Sequence, residues 1–365
     1  MEGKAEKLKK TIEGLSALPI VITQIDPDAI GSAMLLRYIA MKSGKDVTIY
    51  YCGHFGHPQN RTMFTLFDLG SIMFPIKEMP KEIKTCAIVD SSQVNDSRLL
   101  GRVIIPIIVI DHHDIDTKIK EEYGENGFIL IDRVGAAATL LTELLFAMDY
   151  TLPKNSKEAT LGALAIFTDT KMLINATERD VLAYSKLLEF TDKEVFRQLQ
   201  SYPLPQRFFE HFKDAINNWK MKEGRLVTGI GFVSSKDADQ LAIIADSLIR
   251  MPEIQVAVTW GIVDNSVVRI SARCTDPSMS FHDFLSERFG GNSGVKTSSM
   301  GIAEGGAFIK LPSGFWAGDE LKGEMLSLVK RKMDHLILED PNINEHVNGK
   351  DPDTADSDKV YFDIV

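Results

Sequence analysis

Cysteine is scarce in this chain, and no run of apolar residues is long enough to cross a membrane. The 365 residues include three cysteines, Cys52, Cys86 and Cys274, without the close spacing of a zinc-binding pair. This scarcity excludes a disulfide-stapled scaffold and fits a reducing cytoplasm. No segment approaches the roughly 18 apolar residues that a bilayer requires, and the N-terminal segment lacks the apolar core of a signal peptide. We therefore expect a cytoplasmic protein with no membrane partner.

Basic residues are also fewer than acidic residues, which gives a formal net charge of -10 at pH 7. A broadly basic surface for nucleic acid is therefore excluded, and any nucleic-acid ligand would have to be held locally. Acidic pockets suit metal ions better. With 44% hydrophobic residues, a chain of 365 residues can bury a sizeable core and is long enough for two domains.

In the first half, apolar strands alternate with longer helical patterns, which predicts a parallel sheet with helical crossovers. The predicted strands span residues 19–23, 46–51, 85–89, 104–110 and 128–131. The predicted helices span residues 30–43, 136–148, 156–168 and 178–188. The fold class is therefore α/β.

The second half has a different rhythm. Strands are predicted at 226–232 and 255–263, and a turn at 264–266 leads to a further strand at 267–273, which indicates a hairpin. A helix at 281–289, a glycine-rich loop at 290–306 and a helix at 319–338 follow. We expect a first domain over 1–190, a helical linker over 191–212, a second domain over 213–338, and a loosely ordered acidic tail over 339–365.

Acidic and histidine side chains follow several elements of the first half at the point where each element ends. These residues are Asp26, Asp28, Asp90, Asp111, His112, His113 and Asp169. Because the carboxyl ends of parallel strands line a single crevice, side chains that are distant in sequence can converge there. Several carboxylates cannot share a dry crevice unless cations neutralise them.

Each acid also has a simpler interpretation. Asp26 and Asp28 suit the cap and first turn of a helix, Asp90 suits a turn, and Asp169 suits a helix end. The order and spacing of all four favour one cluster over four unrelated caps.

The chemistry of such a cluster points to divalent cations. Carboxylates bind hard divalent ions, and the added imidazoles favour Mn²⁺, with Mg²⁺ or another divalent cation as alternatives. Two ions about 3.5–4 Å apart would activate a water and clamp both oxygens of a phosphoryl transfer. The sequence therefore predicts hydrolysis of a phosphate ester at a site with one or two ions.

The first half resembles the DHH phosphoesterases, in the subgroup with a C-terminal DHHA1 domain. Four motifs carry this resemblance: 26–32 (Asp-Pro-Asp-Ala-Ile-Gly-Ser), 89–90 (Val-Asp), 111–113 (Asp-His-His) and 167–170 (Phe-Thr-Asp-Thr). The small-residue turn at 135–139 (Gly-Ala-Ala-Ala-Thr) is also similar. In the second half, 270–273 (Ile-Ser-Ala-Arg) and 289–291 (Phe-Gly-Gly) are similar to DHHA1 elements.

The resemblance implies a fold and a set of residue roles. The fold would be a parallel-sheet, Rossmann-like DHH domain joined by a helical linker to a smaller α/β DHHA1 domain. Asp90 would bridge two ions, with Asp28, His112 and Asp169 completing one site and Asp26 holding the other ion. His113, with Asp90, would be catalytic and would lie near the reacting water and the scissile phosphate. The implied substrate-binding residues are Arg273, Gly290, Gly291 and Lys296.

The chain departs from the family pattern in two places. Ile22 stands where the family has a metal-binding histidine, and the glycine-rich loop lacks the family's histidine, for which Lys296 could substitute. Compensation for the first change could come from Gln24, or from His54 or His57 in the loop at 53–61, where Arg61 could instead bind phosphate. The alternative for this loop is an ordinary turn with surface histidines.

These observations leave three functions open. The first is a metal-dependent phosphoesterase similar to the oligoribonucleases and 3′-phosphoadenosine 5′-phosphate phosphatases, acting on short oligonucleotides, dinucleotides or nucleoside 3′,5′-bisphosphates. The second is a catalytically weakened or inactive nucleotide-binding or regulatory protein. The third, a manganese pyrophosphatase-like enzyme, is disfavoured because the second half resembles DHHA1. The expected partner is a nucleotide or a short single-stranded oligonucleotide, and the resemblance leaves a homodimer open.

Overall fold

The computed structural model describes residues 1–92, 97–101, 103–113, 127–296, 302–312 and 319–339. The chain divides into two compact units, Met1–Phe208 and Phe209–Val365. The division falls inside the helix Gln206–Asn218. The predicted domain limits and the linker over 191–212 stay predictions, and the predicted acidic tail lies outside the described residues from residue 340 onward.

The first unit is built on a parallel sheet of six strands within the described residues. They are β1 (Ala17–Ile22), β2 (Asp46–Tyr51), β3 (Met73–Pro75), β4 (Thr85–Val89), β5 (Ile105–Asp111) and β6 (Phe128–Ile131). Their spatial order is β3-β2-β1-β4-β5-β6, and every neighbouring pair is parallel. This Rossmann-like order confirms the predicted fold class. The order reverses between β1 and β4, where open α/β sheets form a crevice at the carboxyl ends of the strands.

Helices cover this sheet. They are α1 (Glu2–Glu13), α2 (Pro27–Lys42), α3 (Pro58–Leu66), α4 (Ala137–Ala147), α5 (Lys157–Asp169), α6 (Glu178–Leu188) and α7 (Lys193–Gln200). The sequence marks several starts by side-chain caps: Asp26 for α2, Ser156 for α5 and Thr177 for α6. Helices α2 and α5 pack closely together in the core, and every residue from Ala29 to Leu36 is buried. Packing of α2 on α5 therefore fixes the position of the first turn of α2 relative to the last turn of α5.

The second unit contains a mixed sheet. Its elements, with the helix that crosses the division, are α8 (Gln206–Asn218), β7 (Lys220–Lys222), β8 (Arg225–Val233), α9 (Gln240–Leu248), β9 (Val256–Val263), β10 (Val267–Cys274), α10 (Phe281–Phe289), β11 (Ser293–Lys296), β12 (Ala303–Lys310) and α11 (Asp319–Leu338). The strand order is β11-β12-β10-β9-β8-β7. Among the described strands of this second sheet, the pair β8–β9 is parallel and the other pairs are antiparallel. The predicted hairpin is confirmed as β9–β10, with Asp264 and Asn265 both at positive φ.

The predicted glycine-rich loop over 290–306 is wrong for much of its length. Residues 293–296 form β11 and residues from 303 form β12, which pairs with β10 along all eight of its residues. A Cβ at Gly305 would lie 2.4 Å from Cδ1 of Leu285, so glycine lets the strand pack directly on α10. Glycine here serves close packing rather than a turn. Residues 297–301 of this predicted loop lie outside the described residues.

No helix in the described part of the chain combines the length and the apolar character that a membrane span requires.

Candidate metal centre

Two carboxylates enter the site from the connection between β1 and α2. Oδ1 of Asp26 accepts the Ala29 N–H at 2.9 Å, so the capping interpretation of Asp26 is confirmed. Asp28, in the first turn of α2, is only 2% exposed. Its two oxygens accept the N–H groups of Ala137 (2.6 Å) and Ala138 (3.0 Å) at the start of α4. Asp28 is thus held as a buried carboxylate between two helices.

Asp90 follows β4 and is a third mostly enclosed carboxylate of the site. Its backbone is left-handed, with φ of 55°, and its side chain is 5% exposed. Burial, reinforced by the negative charges of Asp28, Asp26 and Asp169, raises the pKa of Asp90 well above its ordinary value. Burial also raises the pKa of Asp28. The site therefore concentrates negative charge at a cost that a bound cation would relieve.

Asp111, at the end of β5, holds His113 in place. Its Oδ1 accepts the N–H groups of His112 (2.8 Å) and His113 (3.2 Å) and lies 2.8 Å from Nδ1 of His113. Burial acts to raise the pKa of Asp111, but the bonds and charge of His113 outweigh it and leave the pKa below its ordinary value. The His113 side chain is 47% exposed. The ring is therefore oriented from one nitrogen while it stays open to solvent.

His112 lies at the centre of the cluster. Its Nδ1 is 3.2 Å from the carbonyl oxygen of Val134. A carbonyl can only accept a hydrogen bond, so Nδ1 carries a proton and Nε2 is the nitrogen available to a metal ion. That Nε2 lies 3.2 Å from Asp169 Oδ2, 3.3 Å from Asp90 Oδ1 and 3.6 Å from Asp28 Oδ2. Asp169 is the last residue of α5.

The donor set fits a divalent cation. Oδ1 of Asp90 and Nε2 of His112 are buried and have no hydrogen-bond partner among the described residues. Two ligand groups have all their ligand atoms within 4.8 Å of one another: Asp28, His112 and Asp169, and Asp90, His112 and His113. A metal-binding histidine usually donates its other ring N–H to a carbonyl or a carboxylate, as His112 does to Val134. In the described part of the chain, Asp26 joins neither group.

The residues at and near position 22 offer no obvious metal ligand. Ile22 ends β1 and is fully buried in the hydrophobic core. Gln24 is exposed, and its Oε1 accepts a hydrogen bond from Arg98 at 3.3 Å. The position of Ile22 is therefore filled by packing.

The loop after β2 is organised around the start of α3. Nδ1 of His57 accepts the Gln59 N–H at 3.2 Å and so caps α3, and Arg61 donates to the Gly56 carbonyl at 2.5 Å. His54 is exposed. Neither histidine belongs to a candidate metal group within the described residues. These contacts favour an ordinary turn, and compensation by this loop stays a prediction.

The predicted substrate-binding residues lie in the second unit. Arg273, on β10, has a side chain that is 7% exposed, and Asp246 holds its Nε (2.6 Å) and Nη2 (3.3 Å). Gly290 has φ of 62°, Gly291 is exposed, and Lys296 is the last residue of β11. Their roles stay predictions.

Sequence reasoning missed Asp180, a fully buried carboxylate on α6 that binds the turn before α4. The only signal was the spacing Thr177-x-x-Asp180, which is typical of a capping box. That pattern predicts a helix start and says nothing of the turn.

The fold and the site together define an α/β protein with a candidate divalent-cation centre at the switch point of a parallel sheet. No model of a known protein family matches the sequence. The chain is 30% identical over 353 residues to "Uncharacterized protein MJ1633" of Methanocaldococcus jannaschii. The alignment covers 94% of this chain and 69% of that protein. The chain belongs to the same family as that protein.

A solved structure shares the fold. An exopolyphosphatase-related protein from Bacteroides fragilis aligns with a TM-score of 0.63 and 14% identity, over 91% of this chain and 96% of that one. The exonuclease RecJ bound to manganese aligns over 92% of this chain and 94% of that one, with 14% identity and a TM-score of 0.44.

Proposed function

We propose that this chain is a metal-dependent phosphoesterase that hydrolyses short oligonucleotides, dinucleotides or nucleoside 3′,5′-bisphosphates. The observation that carries the proposal is the arrangement around His112. Three carboxylates, those of Asp28, Asp90 and Asp169, lie within 3.6 Å of the Nε2 atom. Gathering three carboxylates in a mostly buried place is costly, and a bound cation would offset that cost. The fold shared with an exopolyphosphatase-related protein supports the same class of reaction.

The residues that would hold the ions are those that the resemblance implies, and the grouping of Asp28, His112 and Asp169 supports this part of the assignment. Asp28, His112 and Asp169 would bind one ion, Asp90 would bridge to a second, and Asp26 would serve the second ion. A bound divalent cation supplies a Lewis acid that lowers the pKa of water and neutralises phosphate charge. Mn²⁺ suits mixed carboxylate and imidazole ligands, and Mg²⁺ is the alternative.

His113 would supply the proton chemistry. Asp111 holds its Nδ1, so the ring is fixed while its exposed part can meet a substrate. From there it would donate a hydrogen bond to a phosphate oxygen or a proton to the leaving oxygen.

Substrate contacts in the second unit are part of the proposal. Asp246 keeps the Arg273 guanidinium in one orientation, which limits the entropy lost when that group binds a phosphate. Gly290, Gly291 and Lys296 would bind the same class of ligand.

A second candidate function is a nucleotide-binding or regulatory protein with weak or no catalysis. The buried Ile22 supports it, because isoleucine offers no ligand atom where the resembled family has histidine. Such a protein would bind one ion and a nucleotide without turnover.

Turnover assays separate the two candidates. We expect the purified full chain with Mn²⁺ to hydrolyse a dinucleotide or a nucleoside 3′,5′-bisphosphate, with inorganic polyphosphate as the comparison substrate. Asp90→Asn keeps a residue that tolerates left-handed backbone and removes the charge. Its loss of kcat should exceed the roughly 10- to 100-fold typical of residues that only support a ligand.

Asp68→Asn is the matched control, because Asp68 also has a left-handed backbone but precedes a short helical turn elsewhere in the first unit. It should keep wild-type activity. Absence of turnover on all three substrates, with Mn²⁺ bound, would favour the regulatory candidate.

A further inference from the structure

Asp180 is a fully buried carboxylate that accepts hydrogen bonds from several donor groups. It accepts the Gly135 N–H with both oxygens, at 3.0 and 2.9 Å, and the Thr139 hydroxyl at 2.6 Å. The N–H and hydroxyl of Thr177 each donate to Oδ2 at 2.7 Å. A carboxylate is buried in this way only when its hydrogen bonds are satisfied, and these bonds satisfy it.

A capping box explains the contacts between Thr177 and Asp180. Thr177 and Asp180 cap the start of α6 reciprocally, as such boxes do. The bonds to Gly135 and Thr139 lie outside the box, more than 40 positions away in sequence. They tie α6 to the turn that leads into α4.

That turn contacts the candidate metal centre at two points. The Val134 carbonyl, directly before Gly135, receives Nδ1 of His112. The Ala137 and Ala138 N–H groups, two and three residues after Gly135, hold both oxygens of Asp28. These amides lie in the first turn of α4, where the helix itself offers them no acceptor. One short turn therefore orients two of the residues around the candidate ion.

We propose that Asp180 is a positioning residue for the candidate metal centre, acting through residues 134–138 on Asp28 and His112. The inference rests on the proposed function, since it concerns the same site. Asp180 touches neither ion nor substrate in this role. It fixes the turn, and the turn fixes one carboxylate and the protonated nitrogen of one imidazole.

Asp180→Asn in the full chain tests the proposal with two readouts. The first is amide hydrogen exchange of Ala137 and Ala138 in metal-free protein, which should become faster than in wild type. The second is Mn²⁺ affinity by calorimetry, which should weaken by about 10- to 100-fold, as for other residues that orient metal ligands. Thr139→Val removes one donor to Asp180 and should shift both readouts in the same direction by less. If Asp180→Asn does not fold, Thr139→Val decides by the same two criteria.

Asp192→Asn is the matched control. Asp192 caps α7 through the N–H groups of Glu194 and Val195, in the same unit and without a contact to the turn at 134–138 among the bonds described. It should leave exchange at Ala137 and Ala138 and Mn²⁺ affinity as in wild type.

Two failures are distinguishable. If wild type binds Mn²⁺ and folded Asp180→Asn matches it in affinity and in exchange, Asp180 only caps α6 and this inference is overturned while the proposed function stands. If wild type binds no Mn²⁺, the proposed function fails and the positioning role fails with it.

Discussion

At the residue scale, a single atom decides what the site can do. Nε2 of His112 is buried and faces three carboxylates, while Nδ1 lies within hydrogen-bond distance of the Val134 carbonyl oxygen. The Val134 carbonyl accepts the Nδ1 proton, which leaves Nε2 as the nitrogen available to a metal ion. The proposed cation site depends on this atom and does not depend on the identity of the substrate.

Backbone strain lies directly beside the same site. After Asp169 and Thr170, three consecutive residues have left-handed backbones: Lys171 (φ 50°), Met172 (59°) and Leu173 (68°). None is glycine, so each costs roughly 1–2 kcal/mol. Such strain persists where surrounding structure holds it, and it is concentrated at functional sites.

Lys171→Gly should raise the free energy of unfolding by roughly 0.5–1 kcal/mol, measured by urea denaturation of metal-free protein. The gain arises because the relieved strain, about 1–2 kcal/mol, exceeds the backbone entropy that glycine adds, about 0.5–1 kcal/mol. Lys171→Ala is the control, since it removes the same side chain and keeps the strained backbone. Equal stability of the two variants would show that the left-handed turn is not strained.

At the element scale, the contact between α2 and α5 places the site. α2 carries Asp28 and α5 ends at Asp169, and both helices are held at close approach by Gly31. A Cβ at Gly31 would lie 2.6 Å from the Leu161 carbonyl oxygen and 2.8 Å from Cβ of Ala165. The distance between the candidate ligands Asp28 and Asp169 therefore depends on the absence of a side chain at Gly31.

Gly31→Ala should lower the free energy of unfolding by about 1–3 kcal/mol through overpacking, and it should weaken Mn²⁺ binding because the helices separate. Gly3→Ala is the control, because Gly3 lies in α1 with open space around its Cβ position. It should stabilise the protein by about 0.5–1 kcal/mol, since alanine is the better helix former. Thermal unfolding and calorimetry measure both effects, and unchanged Mn²⁺ affinity in Gly31→Ala would contradict the link between this packing and the site.

Elements with local signals could be predicted from the sequence. β2, β4 and β6 occupy the predicted residues, because buried parallel strands are short apolar runs bounded by turn residues. The helix α9 and the strand β12 were not predicted. In β12 the glycines suggested a loop, since the close packing of Gly305 on α10 depends on a neighbour that sequence order does not reveal.

The residues of the candidate site were likewise only partly predictable from the sequence. Asp28, Asp90, His112 and Asp169 could be gathered from their positions at element ends, and the structure brings these side chains together. Asp180 could not be found, because its bonds to Gly135 and Thr139 join segments that only the tertiary fold makes adjacent. The cap formed by His57 was likewise invisible, since histidine is not a usual capping residue.

At the scale of the whole molecule, the similarity to the exopolyphosphatase-related structure extends over 91% of this chain and so includes both units. Ion binding should stabilise the folded chain by mass action, by about 2.7 kcal/mol at a free Mn²⁺ concentration 100 times Kd. Thermal unfolding with and without Mn²⁺ measures this shift. A melting temperature independent of Mn²⁺ would contradict it.

Calorimetric titration of metal-stripped protein with Mn²⁺ tests the central claim most directly. Wild type should bind one or two ions, and His112→Ala, with its fold verified by circular dichroism, should lose the site that Asp28 and Asp169 share with His112. The account would be contradicted if wild type bound no ion, or if folded His112→Ala bound Mn²⁺ with wild-type stoichiometry and affinity.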